Sequence, residues 1–224
     1  MKLKGIIFDG DGVLFDTEKL HVIAWKKVFL MYNINPNSIN FEEGIGVEDY
    51  LFLKNLKEKC KIPNNIPIEK LVRLKNEKLL EIVKKDNIEI SEKIKEILKF
   101  LKGKFKLAIA SNSEKRFIIK VIEKLKIVKF FDVITTKNDV KNPKPFPDIY
   151  ILTSKKLHIS PENLIAFEDS ETGIISAKKS GIFCAGVKTT SSFEKLKLAD
   201  IIIDELNLEN VKKVIEIFEK KNEN

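Results

Sequence analysis

Four short stretches of this 224-residue sequence carry side chains that can do chemistry. Asp9 and Asp11 stand one glycine apart, directly after the apolar run Ile6-Ile7-Phe8, and Gly12 supplies the tight turn that follows. Two carboxylates held that close repel each other unless a cation lies between them, and a hard, oxygen-preferring ion such as Mg2+ suits the pair. Ser111-Asn112-Ser113 follows the apolar run 105–110 and offers hydroxyls and backbone amides at the head of the next helix, a setting that also suits phosphate. Lys144 sits in Asn142-Pro143-Lys144-Pro145-Phe146-Pro147-Asp148, where three prolines restrict the loop and hold one lysine in place. Glu168-Asp169 ends a fourth apolar run, Leu164-Ile165-Ala166-Phe167. Each stretch has an ordinary alternative, since Asp, Ser and Glu cap helices and lysine commonly lies in solvent. Brought together, they supply acids for a metal, a nucleophile, a hydroxyl and a fixed ammonium, which is what phosphoryl transfer needs.

The elements between these stretches can bring them together. Short apolar runs near residues 3–8, 105–110, 133–135, 164–167, 182–187 and 200–203 read as buried strands, and the segments between most of them carry helical periodicity. The pattern predicts an α/β fold with a doubly wound, parallel, Rossmann-like sheet, in which ligands bind outside the carboxyl ends of the strands. Residues 17–86 interrupt the alternation with helical periodicity alone. We therefore expect a catalytic core of residues 1–16 and 87–224 and an inserted helical cap of residues 17–86, with hinges near Thr17 and Asn87.

Composition narrows the function. The 43% hydrophobic content is ordinary for a globular chain, and the formal net charge of +8 comes almost wholly from lysine, because Arg73 and Arg116 are the only arginines. The lysines alternate with glutamates along helical faces, which reads as solvated surface rather than a nucleic-acid patch, while the mild positive field favours an anionic substrate. Cys60 and Cys184 are far apart in sequence and form no zinc or disulfide pattern. No leader pattern and no run of membrane-spanning length is present, so a cytoplasmic location without membrane or nucleic-acid partners is expected, with a monomer as the default.

The four stretches, in this order and with this spacing, resemble the haloacid dehalogenase-like superfamily. More narrowly they resemble its beta-phosphoglucomutase/phosphatase branch, which has a helical cap after the first motif. The resemblance covers essentially the whole chain and implies roles. Asp9 would attack phosphorus and become an aspartyl-phosphate; Asp11 would protonate the leaving oxygen and then activate water. Ser111 and Lys144 would hold the phosphoryl group, with Asn112 beside them. Mg2+ would be held by Asp9, the Asp11 carbonyl, Asp169, and Glu168 directly or through water. Thr17 would lie at the hinge near Asp11.

The same resemblance bears on substrate. Mutase relatives hold a sugar bisphosphate with a second cationic site, but the matching positions here are Asp49 and Glu114, which argues against a second phosphate. Lys115 and Arg116 remain possible substitute cations. His21, Trp25 and Lys75-Asn76 match the mutase cap; His21 would relay closure to Asp11, or it and Trp25 would simply pack. The expectation is a Mg2+-dependent phosphatase acting on a small phosphorylated metabolite, a sugar phosphate. The alternatives are a beta-phosphoglucomutase-type mutase and a non-catalytic or nucleic-acid-binding protein on the same fold.

Overall fold

Ile6 and Phe8 point to one side of their strand and Ile7 to the other, and all three are fully buried. That burial on both faces is what a parallel strand under helices requires. The computed structural model describes residues 2–44, 47–85, 88–189 and 191–221. Its six strands are β1 (Gly5–Phe8), β2 (Lys106–Ser111), β3 (Val133–Thr136), β4 (Leu164–Glu168), β5 (Phe183–Val187) and β6 (Ile201–Ile203). They pair in the order β3-β2-β1-β4-β5-β6, all parallel, with Ile7 in register with Ala108 on one side and Ala166 on the other.

The helices are α1 (Glu18–Met31), α2 (Asp49–Glu58), α3 (Ile68–Lys85), α4 (Glu92–Leu101), α5 (Lys115–Lys124), α6 (Asp148–Leu157), α7 (Glu171–Lys179), α8 (Phe193–Leu196) and α9 (Leu208–Lys221). One face of the sheet, with Ile6, Phe8, Ile109 and Phe167, packs on α4, α5 and α9 through residues such as Ile97, Phe117 and Val214. The other, with Ile7, Ala108 and Ala166, packs on α6, α7 and α8 through Tyr150, Ile174 and Leu196. The doubly wound sheet expected from the alternation is the observed one.

The inserted segment is helical, with α1, α2 and α3 packed around Trp25, Phe29, Phe52 and Leu71. Its apolar boundary does not follow the insertion, however. Ala24 and the end of α3 (Leu79, Ile82, Val83) belong to the same buried cluster as Phe117 and Ile118 of α5. The 18-residue length of α3 lets one helix serve two cores in succession. The expected second crossing at Asn87 lies outside the described residues.

Other departures are local. Backbone pairing of the first strand starts at Gly5 rather than Leu3. The single turn α8 is too short to show a period. Lys4, Lys102, Lys104, Lys106 and Lys129 line one groove with Asp132, at the end of the sheet where the strands begin. Both cysteines are unpaired. No helix among the described residues is long and apolar enough to cross a membrane.

Candidate active site

The chain builds β1, β2 and β3 outward in one direction, then returns to place β4 on the other side of β1. Loops leaving the carboxyl ends of β1 and β4 must diverge, and a crevice opens between them. Asp9 follows β1 and Asp169 follows β4, so both stand at that crevice, with Ser111 closing β2 beside them. Gly12, at φ 80°, lets the chain turn away immediately after the two aspartates.

Lys144 reaches the crevice from the loop before α6 and is almost fully buried. Its ammonium donates to Asp9 Oδ1 at 2.7 Å, Glu168 Oε1 at 2.5 Å and the Ala110 carbonyl at 2.8 Å. The loop is fixed by Asn112, whose side chain receives the Lys144 N–H at 2.9 Å and donates to its carbonyl at 3.1 Å; the following Lys144-Pro145 bond is cis. The Tyr150 hydroxyl donates to Glu168 Oε1 as well. Burial pushes the Asp9 carboxyl up to about 7, with Glu168 and Asp11 adding to the rise and Lys144 opposing it. Glu168 is raised by the same burial. Burial alone would lower Lys144, but Asp9 and Glu168 outweigh it and hold the ammonium protonated.

Asp11 is held differently. Thr17, buried at the start of α1, donates its hydroxyl to Oδ1, and Ser113 donates to Oδ2 at 2.7 Å. His21 Nε2 lies 3.6 Å from Oδ1. Burial would raise Asp11, but His21, Ser113 and Thr17 together bring it below the ordinary carboxylate range. Two equally desolvated aspartates two residues apart thus differ in protonation preference because neighbouring carboxylates add to the rise at Asp9, whereas His21, Ser113 and Thr17 outweigh burial at Asp11. Behind His21 the contacts continue into the cap: its Nδ1 is 2.9 Å from Lys75 Nζ, which donates to both Asp49 oxygens at 2.9 and 3.0 Å.

Asp9, Glu168 and Asp169 each present a carboxylate oxygen within 4.8 Å of the others, all three buried. One ammonium is too little positive charge for this cluster, as the raised Asp9 and Glu168 show. An all-oxygen set of this kind fits a hard dication such as Mg2+. The same imbalance makes Lys144 structural as well as chemical. Lys144→Met is expected to lower stability by about 3–5 kcal/mol at neutral pH, because it strands buried carboxylates without a partner. Both carboxylates then ionise only at higher pH, so the loss grows as pH rises from 5 to 8. Denaturant unfolding without metal at the two pH values measures it; an equal loss at both would refute the charge argument.

The crevice opens into a cleft between core and cap. Asp9, Asp11, Ser111, Asn112, Lys144, Asp169, His21 and Lys75, all singled out from the sequence, line it. Thr17 does not; it stands behind the wall and acts on Asp11. Asn112 lines the cavity while its amide holds the Lys144 loop. Asp49 is not the bare anion the sequence suggested, since Lys75 and Lys137 neutralise it. Lys115 is paired with Asp139, whereas Arg116 lines a neighbouring groove. Trp25 both packs, stacked on Phe29 at 5.4 Å, and lines the cavity.

Sequence reasoning missed Ser113, Tyr150, Lys137 and Glu18. Ser113 was present in its motif, but nothing in sequence separates its role from that of Ser111. Tyr150 reads as a core aromatic. Glu18 reads as an acid complementing a helix N-terminus; it lines the cavity, and burial, with Asp11, Asp169 and Asp9 nearby, pushes it up to about 8.

Residues 6–187 match the family model described as haloacid dehalogenase-like hydrolase. A phosphorylated carbohydrates phosphatase of Thermotoga maritima is 34% identical over 183 residues, 80% of this chain and 82% of that protein. A beta-phosphoglucomutase of Bacillus subtilis is 30% identical over 193 residues, 83% of each. Among solved structures, CbbY from Rhodobacter sphaeroides in complex with xylulose-(1,5)bisphosphate superposes with a TM-score of 0.81 at 25% identity, covering 91% of this chain and 95% of that one.

Proposed function

The chain belongs to the haloacid dehalogenase-like hydrolase family, and from that premise we propose that it is a Mg2+-dependent phosphatase. Its substrate is a small phosphorylated metabolite, a sugar phosphate. The observation that carries this reading is the pairing of two unlike carboxylates at the sheet crevice. Asp9 is gripped by Lys144 through one oxygen, and Asp11 is oriented by Thr17, Ser113 and His21. The names of the phosphatase and mutase relatives support the substrate class.

In this reading, an Asp9 oxygen attacks phosphorus while the P–O bond to the sugar breaks and Asp11 gives its proton to the leaving oxygen. The incoming phosphate dianion, a like charge, raises Asp11 toward the protonated form needed for that step. Asp11, now a carboxylate, takes a proton from water as the water oxygen attacks the aspartyl-phosphate. The bond between phosphorus and the Asp9 oxygen breaks and inorganic phosphate leaves. Lys144 and Ser111 bind the equatorial oxygens. Asp9, Asp169 and the Asp11 carbonyl, with Glu168 directly or through water, would hold Mg2+, which when bound would neutralise phosphoryl charge. Residues 17–86 act as the cap that shuts water out while the first transfer occurs.

The test is phosphate release from a panel of sugar phosphates, phosphoglycolate, nucleotides and pyrophosphate, with Mg2+ and with EDTA. Release is expected from sugar monophosphates only with metal. The Mg2+ concentration needed should rise as pH falls below 7, because Asp9 must shed its proton to bind metal. Release that persists in EDTA, or no release from any member, would overturn the proposal.

A further inference from the structure

The described residues that line the cavity include three ammonium groups, Lys75, Lys137 and Lys144. Lys144 is committed to Asp9 and Glu168. The other two come from opposite sides of the cleft, Lys75 from the cap helix α3 and Lys137 from the turn after β3 in the core. Both converge on Asp49 at the first turn of α2. Lys75 Nζ is 2.9 and 3.0 Å from its two oxygens, and Lys137 Nζ is 3.8 Å from Oδ2. Lys75 is held further by His21 at 2.9 Å and by the face of Trp25 at 5.7 Å. Lys75 is buried at 2% exposure, and Lys137 and Asp49 are mostly covered at 14% and 15%.

We propose that Asp49 restricts this enzyme to sugar monophosphates, its carboxylate filling from within the chain the cation pair that a second phosphate would need. The proposal deepens the phosphatase reading and rests on it. Asp49 is ionised at neutral pH: burial opposes this, but Lys75, Lys137 and His21 outweigh burial and hold it below the ordinary range. Apart from Lys75, Lys137 and Lys144, no lysine or arginine is among the described residues that line the cavity. The cavity lining also includes Glu48 and Glu114 together with Trp25, Val47 and Phe52. The two arginines, Arg73 and Arg116, line the adjoining groove, but Glu48, Glu69, Glu77 and Glu114 line it too. An uncharged sugar body suits this wall, because its hydroxyls donate hydrogen bonds to carboxylates and its carbon faces rest on the aromatic rings. A second phosphate meets like charge, and exclusion by repulsion is an effective source of specificity.

The experiment compares matched pairs, fructose 1-phosphate with fructose 1,6-bisphosphate and glucose 6-phosphate with glucose 1,6-bisphosphate, in the full chain with Mg2+. The wild type is expected to show a kcat/KM at least roughly tenfold higher for the monophosphate of each pair. Asp49→Asn keeps the shape and frees the cations, so the ratio is expected to narrow by about tenfold or more, through a lower KM for the bisphosphate. Lys137→Gln leaves Asp49 less neutralised and is expected to widen the ratio, which keeps the test informative if Asp49→Asn fails to fold. Equal use of both members by the wild type would overturn the proposal. So would an unchanged ratio in a folded Asp49→Asn protein, or a narrower one in Lys137→Gln. Calorimetric binding of the same pairs to Asp9→Asn protein reads the preference without turnover. A monophosphate preference there upholds Asp49 even if no substrate is hydrolysed, so the two failures are distinguishable.

Discussion

Asp9→Asn is expected to abolish Mg2+-dependent phosphate release, a fall of roughly 10^4-fold or more, on the scale of removing an enzyme's nucleophile. The side chain keeps its shape, but a neutral amide oxygen does not form an acyl-phosphate with the sugar ester. Loss of activity alone would not separate chemistry from misfolding, and the electrostatics supply the control. Burial raises the Asp9 carboxyl from 3.8 to about 7, even with Lys144 beside it. A carboxylate raised on folding does not penalise the folded state below its ordinary pKa. The penalty grows as pH rises from about 4 toward 7 and is then constant. The Asn variant never ionises there. Without metal it should match the wild type near pH 4 and equal or exceed it in stability at pH 8. With saturating Mg2+ the order should reverse, since only the wild type gains from the ion. Unfolding curves at both pH values, with and without Mg2+, check this. An inactive variant that is also less stable at pH 8 without metal would count against a nucleophile held in a strained, desolvated state.

That strain explains what could be read from the sequence and what could not. The chemical quartet was readable because Asp9, Ser111 and Asp169 close apolar runs and Lys144 is set among prolines, and a parallel sheet gathers strand ends at one edge. Asp9, Ser111 and Asp169 therefore converge by topology, and Lys144 joins them from the loop before α6, held by Asn112. The cap was readable as helix, but its partners were not. Asp49 and Lys75 are 26 residues apart and meet only because α2 and α3 pack, so the sequence shows an unpaired acid where the fold has an ion pair. The sharing of α3 between two cores is hidden for the same reason, since one uninterrupted period does not say against what it packs. Tyr150 reads as a core aromatic and is one, yet its hydroxyl reaches Glu168. Ser113 and Thr17 are ordinary helix-start residues whose hydroxyls happen to face Asp11. Polar atoms at the site are assigned by three-dimensional contact, and only their chemical type is written in the chain.

The same holds for a residue with no side chain at all. Gly173 lies in the first turn of α7, and its N–H donates to the N-cap Ser170 hydroxyl at 3.1 Å. A Cβ built there would lie 1.9 Å from Glu168 Oε2 and 2.2 Å from its carboxyl carbon, an impossible approach. Neither partner can give way. Glu168 is wholly buried and its Oε1 is held by Lys144 and Tyr150, while the helix is pinned against the sheet by Ile174 and Ala177. Ala is better than Gly in a helix by up to about 1 kcal/mol, and overpacking a core costs typically about 1–3 kcal/mol. Expelling a buried, hydrogen-bonded carboxylate from its ammonium adds about 3–5 kcal/mol. Gly173→Ala is therefore expected to destabilise the protein by roughly 3 kcal/mol or more, the steric and charge terms outweighing the propensity gain. It should also lower phosphate release by about 100-fold or more, because Lys144 loses one of the two carboxylates that aim it at Asp9. Adding Glu168→Asp, which shortens the offending side chain by one carbon, should recover part of the stability lost by Gly173→Ala. A double-mutant cycle by denaturant unfolding would show that coupling. If Gly173→Ala unfolds within about 0.5 kcal/mol of the wild type, as independent surface changes do, then Glu168 has room to move and the rigid carboxylate–lysine–carboxylate bridge is not what fixes the Asp9 oxygen.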